Sequence, residues 1–130
     1  MQFDHEKLHV YVSAVDHVAL ADEIVAALPR GRAYLADQLQ RAATSVALNI
    51  AEGAGEYSPN DKARFYRMAR RSATECAAIL DVCRRLQLAD VAKLDAGREL
   101  LLRVVAMLIQ MVRKLAGTGS GRGSGTEQDC

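Results

Sequence analysis

Two histidines near the start of the chain, His5 and His9, are spaced i and i+4, which on a helix would set two imidazoles on one face. Glu6-Lys7-Leu8-His9 is also a Glu-x-x-His motif, which di-iron bundles carry on each of two paired helices. Neither pattern is completed. No third ligand follows at a zinc spacing, and no second Glu-x-x-His occurs. Glu52 and Glu75 could form a carboxylate pair, but no residues beside them suggest a substrate pocket. There is no Gly-rich phosphate loop and no G-x-S-x-G. The expectation is a chain that is not an enzyme, with no catalytic residue, no metal site and no cofactor.

A second group of residues has a more regular spacing. Arg41, Ser45, Asn49 and Glu52 follow one another at four, four and three, on one side of a helix. Further along, Arg71 and Glu75 are i and i+4 with Ser72 beside them, and Arg64, Arg67 and Arg71 share a helical face. Two readings of this polar face stand open. It is a set of interhelical hydrogen bonds and ion pairs that fixes register, as polar positions do in coiled coils. Or it is a phosphate-binding face, in which Arg41, Arg64, Arg67 and Arg71 contact nucleic acid.

The elements that would position these residues are helices. The 130 residues fit one domain, and the mix rich in Ala, Leu, Val and Arg, with no Trp, favours helix. Only Pro29 and Pro59 interrupt it. The pattern predicts a first helix over residues 3–28, with Leu8, Val12, Val15, Ala19 and Ala26 on one face that Asp22 interrupts, broken by Pro29-Arg30-Gly31. A second runs over 33–53, with Leu35, Leu39, Ala42, Val46 and Ile50 as its stripe. Ser58 then reads as an N-cap before Pro59 and Asp61, opening a third helix over 59–86. Its seam is Phe65, Ala69, Ser72, Cys76, Ile79, Cys83 and Leu86. A fourth covers 91–115 and ends at Gly117. Long helices with short turns pack as an antiparallel up-down-up-down four-helix bundle over residues 1–117, with a flexible Gly/Ser-rich tail over 118–130.

Charge and cysteines narrow the class. The net charge of +1 implies no polyanionic partner by itself. Its distribution is uneven: residues 1–29 hold one lysine against five acids, and residues 30–75 hold eight basic residues against five acids. Cys76, Cys83 and Cys130 form no disulfide framework, and the first two read as small buried hydrophobes in a reducing compartment. The start of the chain is too polar for a signal peptide, and no long uncharged apolar stretch occurs, so a soluble cytoplasmic protein away from membranes is expected.

The fourth helix is apolar over more of its circumference than one core needs. Leu94, Leu101, Val105, Leu108 and Val112 point one way, with Leu100, Val104, Met107 and Met111 on one flank and Leu102 and Ile109 on the other. Leu48 lies about 160° round the second helix from Val46, among polar neighbours. Such excess apolar surface marks an interface. Leu48, Leu100, Val104, Met107 and Met111 are therefore the expected contacts between copies of the chain.

The segment Gln38-Leu39-Gln40-Arg41-Ala42-Ala43-Thr44-Ser45-Val46-Ala47-Leu48-Asn49-Ile50-Ala51-Glu52-Gly53 closely resembles the signature of a four-helix-bundle family. That family is related to the proteins encoded in intervening sequences of bacterial 23S ribosomal RNA genes. The resemblance continues through Ser58, Arg64-Phe65, Met68-Ala69-Arg70 and Ser72-Ala73-Thr74-Glu75. It implies an antiparallel bundle, commonly a homopentamer, and places the family's polar positions on Asn49, Glu52, Ser72 and Glu75, with Ser45 in the same motif. Some relatives resemble basic partners of a reverse transcriptase and nucleic acid. This chain departs from the pattern with Glu56 in place of a basic residue and Arg71 in place of a glycine. The expected function is a homo-oligomeric scaffold or adaptor whose partner is RNA or a nucleic-acid-associated protein. The alternative is a protein–protein interaction module with no nucleic-acid role.

Overall fold

A computed structural model describes residues 1–120 of the protein. A 3₁₀ turn, Asp4–Lys7, precedes four helices: α1 His9–Ala26, α2 Ala33–Gly55, α3 Pro59–Arg85 and α4 Val91–Ser120. There is no strand among the described residues. α1 packs on α2 and α4, and α3 packs on the same two, so the four helices enclose one core and α1 lies diagonally across from α3. No helix among the described residues is long and apolar enough to cross a membrane. α4 stays helical through Ser120, past Gly117. The rest of the expected tail, residues 121–130, lies outside the described residues.

The helix ends follow local chemistry. Ser58 Oγ accepts from the Asp61 N–H at 3.0 Å with Pro59 at the first helical position, as the sequence predicts. Asp90 does the same for α4, its carboxylate accepting from the Ala92 N–H at 3.1 Å. α3 closes with the Leu88 N–H donating to Cys83 O at 2.9 Å and the Gln87 N–H to Arg84 O at 3.0 Å. This is a Schellman ending, but glutamine rather than glycine occupies the left-handed position, with φ 57°.

α2 buries the stripe read from its sequence: Leu35, Leu39, Ala42, Val46 and Ile50, with Ala43 and Ala47 beside them. On α3 the buried residues are Ala63, Tyr66, Ala69, Ala73, Cys76, Ile79, Leu80 and Cys83, while Phe65 and Ser72 fall at the edge facing α2 and Leu86 is exposed. Cys76 and Cys83 are free thiols inside the core. Burial, then the neighbouring Glu75 charge, pushes the Cys76 thiol up to about 12, and burial raises Cys83 as well.

α1 and α4 differ from the sequence reading. α1 begins at His9, after an extended Leu8, and its buried face is Val10, Ser13, Ala14, His17, Ala21 and Ile24. The expected stripe of Val12, Val15, Ala19 and Ala26 is real but faces outward, on the opposite side of the helix. In α4 the core seam is Leu94, Gly97, Leu101, Val104 and Leu108. Val104, expected between copies, is 0% exposed within the bundle. The apolar pairs 104/105 and 111/112 leave the seam ambiguous by one position, and Gly97 decides it. A side chain there would meet Leu80 Cδ1 at 3.0 Å and Leu20 Cδ2 at 3.7 Å. Leu100, Met107 and Met111 are half-buried, the two methionines packed against the core.

α2 and α3 approach closely because the residues between them are small. At Gly53 a Cβ would lie 2.6 Å from Tyr66 Cε1 and 3.2 Å from Phe65 Cβ. Tyr66 is buried, so its ring has nowhere to swing. Gly53→Ala should thus lower stability by about 1–3 kcal/mol through overpacking, despite alanine's better helix propensity. Gln87→Gly should raise stability by about 1 kcal/mol by relieving the left-handed backbone. Urea midpoints at unchanged m-value check both.

Candidate functional site

The polar residues of α2 line an open groove of about 790 Å³, among them Asp37, Gln40, Arg41, Thr44 and Glu52, with Leu48 beside them and Phe65 contributed by α3. Ser45 and Ser72 join their hydroxyls at 3.0 Å across the two helices. Asn49 Nδ2 donates to Ser45 Oγ at 3.0 Å and to Ser45 O at 2.9 Å. Three of the expected motif residues therefore form one connected network, half-buried between the helices. Bonds of this kind contribute about 1 kcal/mol each and favour a single register of α2 on α3. Neither serine hydroxyl is hydrogen-bonded to an imidazole or a carboxylate among the described residues.

The other motif residues are placed differently. Glu52 is exposed at the groove's rim, and it also lines a neighbouring hollow with His5, Leu48 and Glu56. Glu75 is exposed and outside the groove. Arg71 and Glu75, spaced for an ion pair, do not form one. Nor do His5 and His9 share a helical face. The extended Leu8 separates them, and His5 instead stacks on Phe3 and meets Tyr11 edge-on, with centroids 5.7 and 4.6 Å away. Among the described residues, no three His, Cys, Asp or Glu side chains are grouped to hold a metal ion.

Some arginines are held in ion pairs, and others, Arg70, Arg85 and Arg103 among them, are exposed with none among the described residues. Arg41 pairs with Asp37 at 3.3 Å, Arg84 pairs with Asp95, and Arg98 with Asp81 at 3.9 Å. Arg64, Arg67 and Arg71 are exposed on α3 and form no ion pair among the described residues. The Arg64 guanidinium lies over the Phe65 ring, 4.4 Å from its centroid. Lys62, on the same helix, is engaged otherwise: its Nζ donates to Ala54 O at 2.9 Å and Gly53 O at 3.3 Å, closing the end of α2.

The sequence model of one family, the 23S rRNA-intervening sequence protein, matches residues 6–110. The chain belongs to this family. The match spans α1, α2, α3 and most of α4, and includes the whole Ser45–Asn49–Ser72 network. No curated protein matches the chain. Within the family frame, Asn49 and Ser72 are joined through Ser45, while Glu52 and Glu75 stay on the surface.

One residue escaped the sequence reading. His17 is 1% exposed in the core face of α1, and neither ring nitrogen has a hydrogen-bond partner among the described residues. Its Nε2 lies 4.0 Å from where a Cβ on Gly97 would be. Its place at i+4 and i+7 from Ser13 and Val10 is the only sequence signal, and the cleaner outward stripe of valines and alanines masked it. Burial lowers its pKa from 6.5 to about 4, so the imidazole is neutral at physiological pH. The unfolded chain takes up this proton first. The contribution of a neutral His17 to stability is therefore fully present above about pH 6.5, and is lost as pH falls toward about 4. The loss is on the order of 3 kcal/mol. His17→Leu should flatten stability across that pH window and raise it by about 1–3 kcal/mol near neutrality, by removing two unsatisfied buried nitrogens. Urea titrations between pH 4 and 7 would read this, and an unchanged slope would assign the acid sensitivity to another group.

Proposed function

We propose that the protein is a non-catalytic cytoplasmic scaffold. In this reading it is an antiparallel four-helix bundle that assembles with copies of itself, as the homopentamer implied by the family resemblance, and binds RNA or a ribonucleoprotein. The observation that carries the RNA reading is that Arg64, Arg67 and Arg71 stand exposed on one helix, α3, with no ion-pair partner among the described residues. Guanidinium groups with no carboxylate partner present donors ready for phosphate oxygens. Repeated around an assembly, a modest patch becomes an extended positive surface. The antiparallel sense is supported by contacts that run in opposite directions along neighbouring helices. Ser45 meets Ser72 while Gly53 meets Phe65, and Asp81 meets Arg98 while Arg84 meets Asp95. The protonated buried thiols suit a reducing compartment.

The alternative is a protein–protein interaction module with no nucleic-acid role. Leu48, 60% exposed on the groove wall, favours it, because such a residue is better explained by a protein surface than by phosphate. Binding of a fluorescent structured RNA at two salt concentrations separates the two. The RNA reading expects affinity that falls steeply with salt, and a slope reduced by about two to three in Arg64→Ala/Arg67→Ala/Arg71→Ala. Absence of binding at low salt would leave the protein-interaction module.

A further inference from the structure

We propose that α1 is a releasable helix: when His17 takes up a proton, α1 leaves the bundle while α2, α3 and α4 stay packed together, and the core seam beneath α1 opens to solvent. The release needs neither RNA nor a second copy of the chain. The buried polar side chains among the described residues are Ser13 and His17, and both lie on α1. Val10 and Ile24 are the larger apolar side chains that α1 buries, with Ala14 and Ala21 between them, while Tyr11, Val18, Leu20 and Val25 are half-buried. α2, by contrast, buries Leu35, Leu39, Val46 and Ile50. Apolar area removed from water is the main term that holds a helix to its neighbours, so α1 is held less firmly than α2. The polar fastenings also lie elsewhere. Ser45 with Ser72, and Lys62 with Ala54, tie α2 to α3, and Arg84–Asp95 and Arg98–Asp81 tie α3 to α4. α1 has the exposed pair of Glu23 with Lys93, and Leu8 gives its first turn no side-chain cap.

Inside the bundle nothing receives a charge on His17. Its ring meets Leu20 of α1 and Leu80 of α3 around Gly97 of α4. On either side of Gly97, the α4 residues Lys93, Asp95 and Arg98 are in exposed ion pairs with Glu23, Arg84 and Asp81. α3 brings the thiols of Cys76 and Cys83 to the core, both held protonated by burial. The buried face of α2 is apolar throughout. Asp16 and Asp22 of α1 itself are exposed, away from its core face. An imidazolium here is an unpaired buried charge, and the chain avoids it by bringing the ring to water. His17 lies at the middle of α1, so the helix moves with the ring. Residues 27–32, with Pro29 and with Gly31 at φ 87°, join α1 to α2 and serve as the hinge. Opening one such unit requires less free energy than unfolding the whole chain.

The test is hydrogen exchange of the full chain, read by mass spectrometry at pH 7 and pH 5 and corrected for the intrinsic exchange rate. At both pH values the α1 peptides should exchange faster than those of α2 and α3. Released, the His17 ring regains its ordinary pKa of 6.5, so the opening equilibrium of α1 should rise about 20-fold from pH 7 to pH 5. His17→Leu should remove this rise and slow α1 exchange at pH 7. If that variant has lost helical content by circular dichroism, His17→Met replaces it with the same expected outcome. A rise that persists in a folded variant belongs to His5 or His9 at the start of α1, and overturns the role of His17. A wild type whose α1 shows no rise overturns it equally. Equal protection of α1, α2 and α3 overturns the release, because the bundle then opens as one unit, and leaves the acid sensitivity of its overall stability standing.

Discussion

The closeness of α2 and α3 is the constraint on which the rest of this molecule depends. Ser45 and Ser72 meet across it, and Gly53 leaves room for the Tyr66 ring where even a methyl group would collide. Two hydroxyls one atom beyond their Cβ can bond across the interface only if the backbones come this near, as Ser45 and Ser72 do at 3.0 Å. The same approach determines what lies above it. Larger side chains on the flanks, Leu48 and Phe65, cannot enter the seam and so form the walls of a groove. The polar network is therefore the floor of a surface feature, and its register decides which residues stand opposite one another along that groove.

The opposite side of the bundle is organised by a second close approach. Gly97 lets α4 come near Leu80 of α3 and both Leu20 and His17 of α1. Ion pairs then fasten the rim: Lys93 to Glu23, Arg84 to Asp95 and Arg98 to Asp81. Each is exposed and contributes little by itself, but together they join α4 to both neighbours at the end where the α3–α4 connection lies. The unsatisfied imidazole of His17 weakens this corner, since a buried polar group without a partner opposes burial.

How much of this was legible in the sequence depended on how cleanly each helix separates its faces. α2 has one apolar stripe bordered by Arg41, Thr44, Asn49 and Glu52, and its reading was accurate residue by residue. The start of α3 was legible because Ser58 and Pro59 leave little choice of local geometry. α1 was misread because it has two apolar stripes, and the one that carries the regularly spaced valines faces away from the core, while the core face includes Ser13 and His17. α4 was read correctly at Leu94, Leu101 and Leu108 and misread at Val104, because adjacent valines offer two seams, and Gly97 meets residues of other helices that its own helix does not show. Within the candidate site, the alignment of Ser45 with Asn49 follows from helical spacing alone. Their meeting with Ser72 depends on interhelical distance, which no single-helix pattern encodes. That Arg71 stays apart from Glu75 likewise reflects side-chain conformations that spacing permits but does not compel.

The two core cysteines give the bundle a property unrelated to its surfaces. Cys76 and Cys83 sit fully inside, on the helix that touches both α2 and α4, with their thiols held protonated by the apolar surroundings. A soluble thiol reagent needs the anion and a path to it, and the closed bundle supplies neither. Reaction at these sulfurs thus reports the moments when α3 separates from its neighbours. The chain carries a built-in chemical clock for its own opening, set at two sulfurs that no surface contact touches.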